Sequence, residues 1–164
     1  MMNISKIKQY FENNFPKKSL KELSINVNSN ESLVNSQNLS YDFDSIKSRR
    51  DKVLKTSDTI YFRNDKITFV EFKSGKVGNY EYRFKAFESI ISFYNYIYEN
   101  GFKEAFNVPN DIFEIYFVHK RTSKYSSLQE LQIIEKELSK EYKHLYSKFK
   151  LIDIDQFQKI FKPK

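Results

Sequence analysis

The chain reads as an α/β domain, a mixed central β-sheet flanked by helices on both faces, and three features of the sequence predict it. Residues 58–73 alternate as a β-hairpin whose second strand is apolar on both sides, with Ile67 and Phe69 on one and Val70 and Phe72 on the other. That is the pattern of a central, buried strand. Residues 111–118, Asp-Ile-Phe-Glu-Ile-Tyr-Phe-Val, are rich in β-branched and aromatic residues and predict a further strand. Residues 80–99 and 126–149 repeat apolar side chains at helical spacing, and a strand buried on both faces needs helices to cover it.

Each element follows in order. Residues 3–15 place Ile4, Ile7, Phe11 and Phe15 on one helical stripe, which Pro16 ends. Leu20 and Leu23 allow a short helical turn over 17–24. Residues 24–40 are dominated by Ser and Asn and predict an irregular segment, with room for a short strand at 24–27. Tyr41-Asp42-Phe43-Asp44 reads as a lead-in with its aromatics turned inward, and 44–54 as a helix with Lys47, Arg49, Arg50 and Lys52 outward. After the hairpin, Ser74–Asn79 is a loop holding two of the three glycines, without the spacing of a phosphate cradle. The helix over 80–99 takes Phe84, Phe87, Ile91, Tyr94 and Tyr98 as its apolar stripe, with Gly101 as C-terminal cap. A helix over 126–149, a strand at 149–154 and a helix at 155–161 complete a single domain spanning 1–164.

Composition narrows the function. The absence of cysteine excludes disulfides, thiolate metal sites and cysteine nucleophiles. No apolar run approaches the ~18 residues of a membrane span, and residues 1–8 lack a signal-peptide apolar stretch, so a cytoplasmic protein is expected. The 28 Lys and Arg against 21 Asp and Glu leave a charge of +7, which favours a polyanionic partner. The same lysine excess accompanies an Asn-, Ile-, Tyr- and Phe-rich composition and serves solubility equally well.

Residues 58–73 carry the chemistry. If Asn64 and Asp65 form a two-residue turn, Phe62 faces Ile67, Ile60 faces Phe69 and Asp58 faces Glu71. Side chains alternate along a strand, so Asp58, Glu71 and Lys73 then project from one side. Facing residues have Cβ atoms about 4.5–5.5 Å apart. Two carboxylates so close repel unless a cation lies between them, which points to a metal site. A loop of three or five residues would shift the register and separate them.

Asp58, twelve intervening residues and then Glu71-Phe72-Lys73 resemble the catalytic signature of the PD-(D/E)xK nuclease superfamily, the restriction-endonuclease-like fold, with Ser57 where that family often has proline. The resemblance covers roughly residues 40–120. It implies a Mg²⁺- or Mn²⁺-dependent nuclease hydrolysing phosphodiester bonds of DNA or RNA, with Asp58, Glu71 and the Phe72 carbonyl as metal ligands and Lys73 as the third catalytic group. It also implies a helix acid in the metal shell, for which Glu12 is the candidate. Lys55, Arg83, Lys85, Lys120 and Arg121 flank these residues in sequence and are the candidate nucleic-acid contacts. Cations at a helix N-terminus oppose the helix dipole, so Arg83 and Lys85 call for another purpose. His119 and His144 have no ligand-like neighbours in sequence. The alternatives are an inactive nucleic-acid-binding module on the same fold, or a protein-interaction domain that uses the tyrosine-rich helix, with a homodimer or a protein partner.

Overall fold

Asn64 and Asp65 both adopt left-handed backbone conformations, with φ of 48° and 56°. They form the tight turn that matches strand twist, although neither is glycine. This turn joins β5 (Thr59–Arg63) to β6 (Lys66–Lys73) and fixes the pairs Phe62↔Ile67, Ile60↔Phe69 and Thr59↔Val70. The expected register is the observed one.

The computed structural model describes residues 3–46, 54–102, 111–120 and 125–162. The part of the expected 44–54 helix that carries Lys47, Arg49, Arg50 and Lys52 lies outside these residues, as does Arg121. In chain order the other elements are α1 (Ile4–Asn14), β1 (Lys18–Ser19), α2 (Leu20–Leu23), β2 (Ile25–Asn26), β3 (Glu31–Ser32), β4 (Leu39–Asp42), α3 (Phe43–Ile46), α4 (Asn79–Glu99), β7 (Phe113–His119), α5 (Tyr125–Glu141), β8 (Lys148–Asp153) and α6 (Ile154–Ile160). Six strands form one sheet in the order β1-β4-β5-β6-β7-β8, antiparallel as far as β6 and parallel from β6 to β8. The fold is therefore α/β with a mixed central sheet, and β6 lies at its middle. The β2–β3 hairpin is a separate small sheet.

Alternation along β6 and β7 divides the core. On one face Ile60, Phe69, Ile115 and Phe117 pack with Ile7 and Phe11 of α1, Phe93 and Ile97 of α4 and Leu138 of α5. Phe69 stacks on Phe113 with centroids 5.8 Å apart and ring planes 12° apart. On the other face Val70, Tyr116, Val118 and Ile152 meet Leu20 of α2 and Phe157 of α6. Helices cover both faces, long ones on the first and short ones on the second. No helix among the described residues is long and apolar enough to cross a membrane.

Two expectations are corrected. The buried face of α4 is Tyr82, Ala86, Ser89, Phe93 and Ile97, while Phe84, Phe87 and Tyr98 are exposed. Small residues let the helix approach the sheet closely, so the bulkiest stripe was not the buried one. The expected 126–149 helix ends at Glu141. Ser147 donates through its backbone N–H (2.8 Å) and hydroxyl (3.0 Å) to the Phe113 carbonyl, drawing the chain into β8.

Candidate active site

The site lies at the C-terminal end of β6, where the antiparallel half of the sheet gives way to the parallel half. Glu71 and Lys73 stand on the face that α4 covers, and Glu71 is only 3% exposed. Its Oε1 lies 2.7 Å from Lys73 Nζ and 3.0 Å from Lys85 Nζ of α4. Its Oε2 is buried and has no hydrogen-bond partner. A buried carboxylate oxygen left without a donor is costly.

Asp58 ends the ladder. Continuing the register one place beyond Thr59↔Val70 sets it opposite Glu71. Its Oδ2 accepts a hydrogen bond from the Phe72 backbone N–H at 2.7 Å, in place of a further strand residue. Backbone donors lie in the plane of the sheet, so Asp58 reaches in along the sheet edge instead of standing upright beside Glu71. The N–H and C=O of one strand residue point the same way, so the Phe72 carbonyl is turned to the same edge. Asp58 also lines a cleft of about 270 Å³ with Asn26, Leu33, Phe72 and Ser74. The residue is only half-buried, but its carboxyl group is densely enclosed. That burial first, and then the Glu71 charge, push the Asp58 carboxyl well above its ordinary range, against the Phe72 N–H, Lys85 and Lys73, which pull it down.

Neighbouring polar contacts hold this arrangement. Lys73 also bonds Glu81 of α4. Burial alone would lower the Lys73 pKa, but the Glu71 and Glu81 carboxylates outweigh it and the net shift is upward, so Lys73 stays an ammonium. Burial would raise Glu81, yet its bond to Lys73 and the nearby charges of Lys73, Lys85 and Lys55 bring it down. Lys85 donates to the Thr56 carbonyl at 2.7 Å. Buried Ser57 and Ser89 join by their hydroxyls at 2.8 Å, and the Ser57 N–H donates to Ser89 Oγ at 2.9 Å. These bonds tie the segment before Asp58 to α4.

The expected site residues separate accordingly. Asp58, Glu71, Phe72 and Lys73 come together, and Lys85 joins them as a partner of Glu71. Lys55 is exposed nearby, with its backbone N–H held by Glu88 at 2.5 Å. Lys120 is exposed where β7 ends, its N–H bonded to the Lys73 carbonyl at 3.1 Å. Arg83 turns away to α5, 2.8 Å from Glu141 and 3.2 Å from Glu137, which accounts for a cation near the start of α4 without a phosphate. Glu12 is not brought to the site. It lines a cavity with Phe62, Arg63, Asn64 and Asp65 at the turn end of the hairpin. At about 3.3 Å per residue, that is roughly 17 Å along β6 from Glu71.

Two neighbours were not legible in the sequence. Glu81 stands one helical turn before Lys85, and that i, i+4 pair facing a strand of opposite charges was the available signal. His119 pairs with Lys73 across the β6–β7 ladder, and its Nε2 is 3.1 Å from the Tyr82 hydroxyl. Burial and then the Lys73 charge lower its pKa to about 4, so the ring is neutral near pH 7.

Among the described residues no group of three or more His, Cys, Asp or Glu side chains is arranged to hold a metal ion. Any cation here rests on two carboxylates, with backbone and water oxygens completing its shell, a donor set that suits Mg²⁺. Glu71 and Glu81 balance the ammoniums of Lys73 and Lys85, so the net charge of the cluster follows Asp58, whose pKa is raised. No protein-family model matches the chain, and no match was found among curated proteins or solved structures.

Proposed function

We propose that this protein is a metal-dependent nuclease of the PD-(D/E)xK kind, hydrolysing phosphodiester bonds of DNA or RNA with Mg²⁺ or Mn²⁺. The observation that carries the reading is the partnerless, buried Oε2 of Glu71, whose carboxylate charge acts on the Asp58 carboxyl, with Lys73 fixed alongside. Glu71 Oε2, Asp58 and the Phe72 carbonyl would hold the ion. When bound, such an ion supplies Lewis-acid polarisation of a phosphoryl oxygen and a lower pKa for water.

The chain's own groups have separable tasks. Lys73, held as an ammonium between Glu71 and Glu81, is suited to stabilise negative charge developing on the phosphoryl group. A raised pKa makes it a poor proton acceptor, so its work is electrostatic. Lys85 offsets Glu71 and, with the Ser57–Ser89 pair, holds the approach to Asp58 against α4. The Asn26 side-chain amide donates to Ser74 Oγ, closing the β2–β3 hairpin over one wall of the Asp58 cleft. Lys55 and Lys120 are exposed near the cluster and suit phosphates of the bound strand.

Plasmid DNA, single-stranded DNA and RNA incubated with Mg²⁺ or Mn²⁺, and with a chelator, test the reading. Cleavage should require the metal and disappear in Asp58→Ala and Glu71→Ala. Absence of metal-dependent cleavage on all three substrates would leave an inactive binding module as the better account.

A further inference from the structure

The β2–β3 hairpin stands outside the main sheet and walls the cleft that Asp58 lines. It carries apolar side chains there that the fold leaves in water. Val27, the first residue of its turn, is 94% exposed and Ile25 is 42% exposed. Leu33 and Phe72, both half-buried, continue the apolar lining.

Hydrogen bonds fix this wall in place. The Asn26 side-chain amide donates to Ser74 Oγ, and its side-chain oxygen accepts from the Asn28 N–H at 2.8 Å. The Asn30 N–H donates to the Asn26 backbone carbonyl at 2.8 Å and closes the turn. Ser24 is committed as well, accepting from the Val34 N–H at 3.0 Å. The Ser74 hydroxyl accepts from Asn26 and keeps its own proton to give.

We propose that this cleft takes the base of an unpaired nucleotide next to the scissile phosphate, so that the substrate is a single strand or a frayed end and not intact duplex. The position of that phosphate rests on the nuclease reading. Asp58 belongs both to the metal site and to the cleft, and a base is tethered to its phosphate by one sugar. A nucleotide held at Asp58 therefore has its base within reach of the cleft. The volume of about 270 Å³ lies just below the ~300–1,000 Å³ of pockets for drug-sized ligands, which leaves room for one heterocycle but not for stacked base pairs. Apolar side chains suit the face of a base, and the Ser74 proton suits a carbonyl on its edge. Among the described residues the lining carries no cation, so a bare phosphate gains nothing from it.

Fluorescence anisotropy of the full chain in Ca²⁺ compares a short oligothymidylate with an abasic strand of equal length and charge. Wild type should bind the thymidine strand at least about tenfold tighter, within the range that stacking a base supplies. Val27→Gln and Ile25→Gln remove apolar contact at exposed positions without adding charge. Each should narrow that preference at least about threefold and leave the abasic strand within about twofold. Val27→Trp, with a larger apolar surface, should widen it. Circular dichroism and thermal melting establish that each variant is folded. Where wild type cleaves, a single strand should be cut at least about tenfold faster than blunt duplex of the same sequence, because it has no pairing to lose. Equal affinity for the two strands, no binding of the thymidine strand, variants that lower both alike, or duplex cut as fast would overturn the proposal. The two readings fail separately. Metal-dependent cleavage without a base preference would remove the cleft alone, whereas a base preference lost in Val27→Gln, with no cleavage of any substrate, would uphold the base site and remove the nuclease.

Discussion

Replacing Asp58 with asparagine should stabilise the metal-free protein, and the gain should grow with pH. The Glu71 charge acts on the Asp58 carboxyl, and the second oxygen of Glu71 lacks a donor among the described residues. Asparagine keeps an oxygen for the Phe72 N–H and removes the charge that Glu71 opposes. Each unit of raised pKa corresponds to about 1.4 kcal/mol, so we expect roughly 1–2 kcal/mol near pH 8, or about 2–8 °C in Tm for a domain of this size. Burial and the Glu71 charge raise the Asp58 carboxyl pKa, so the folded state retains a proton that the unfolded chain has lost. Wild-type stability from this group is therefore complete below about pH 4, near the unfolded value, and falls as pH rises through the folded value. The variant lacks this loss, so the two melting curves should lie close together at acid pH and separate towards pH 8. Scanning calorimetry in EDTA across that range measures it. A variant less stable than wild type at pH 8, or a gain confined to acid pH, would refute a repulsive carboxylate pair.

Three further outcomes follow. Lys73→Ala should leave metal and nucleic-acid binding within a few-fold, yet reduce single-turnover cleavage by about 10²–10⁴. Lys73→Arg should rescue it poorly, because a planar fork does not replace a compact ammonium between two carboxylates. Arg83→Ala should leave nucleic-acid affinity unchanged in a binding titration and lower stability by at most about 1 kcal/mol, since its partners are the exposed acids of α5. Mn²⁺ affinity measured by calorimetry should rise with pH, because the ion displaces the proton held by Asp58; affinity that falls with pH would contradict that site.

The hairpin was legible because its constraints are local. A two-residue turn fixes the register, and the register fixes the face of every residue up to Lys73. Core positions on α1 and α5 followed from helical spacing for the same reason. The buried face of α4 was not legible. Its outward stripe is the more aromatic one, and Ala86, Ser89 and Ser92 give little sign that they face the core. Glu12 and Arg83 depended on tertiary placement: α1 sets Glu12 at the turn end of the hairpin, and Arg83 finds acids 54 and 58 residues away. Asp58 was identified as an acid of the site, but its approach along the sheet edge depends on where β5 begins.

The central claim is that Asp58 and Glu71 Oε2 share a divalent cation, and a crystal soaked in Mn²⁺ tests it most directly. The anomalous map should show one peak within about 2.0–2.6 Å of Glu71 Oε2 and an Asp58 carboxyl oxygen, in the range of oxygen-bound divalent ions. A map with no peak at that position, and with Glu71 still engaged only by Lys73 and Lys85, would contradict it.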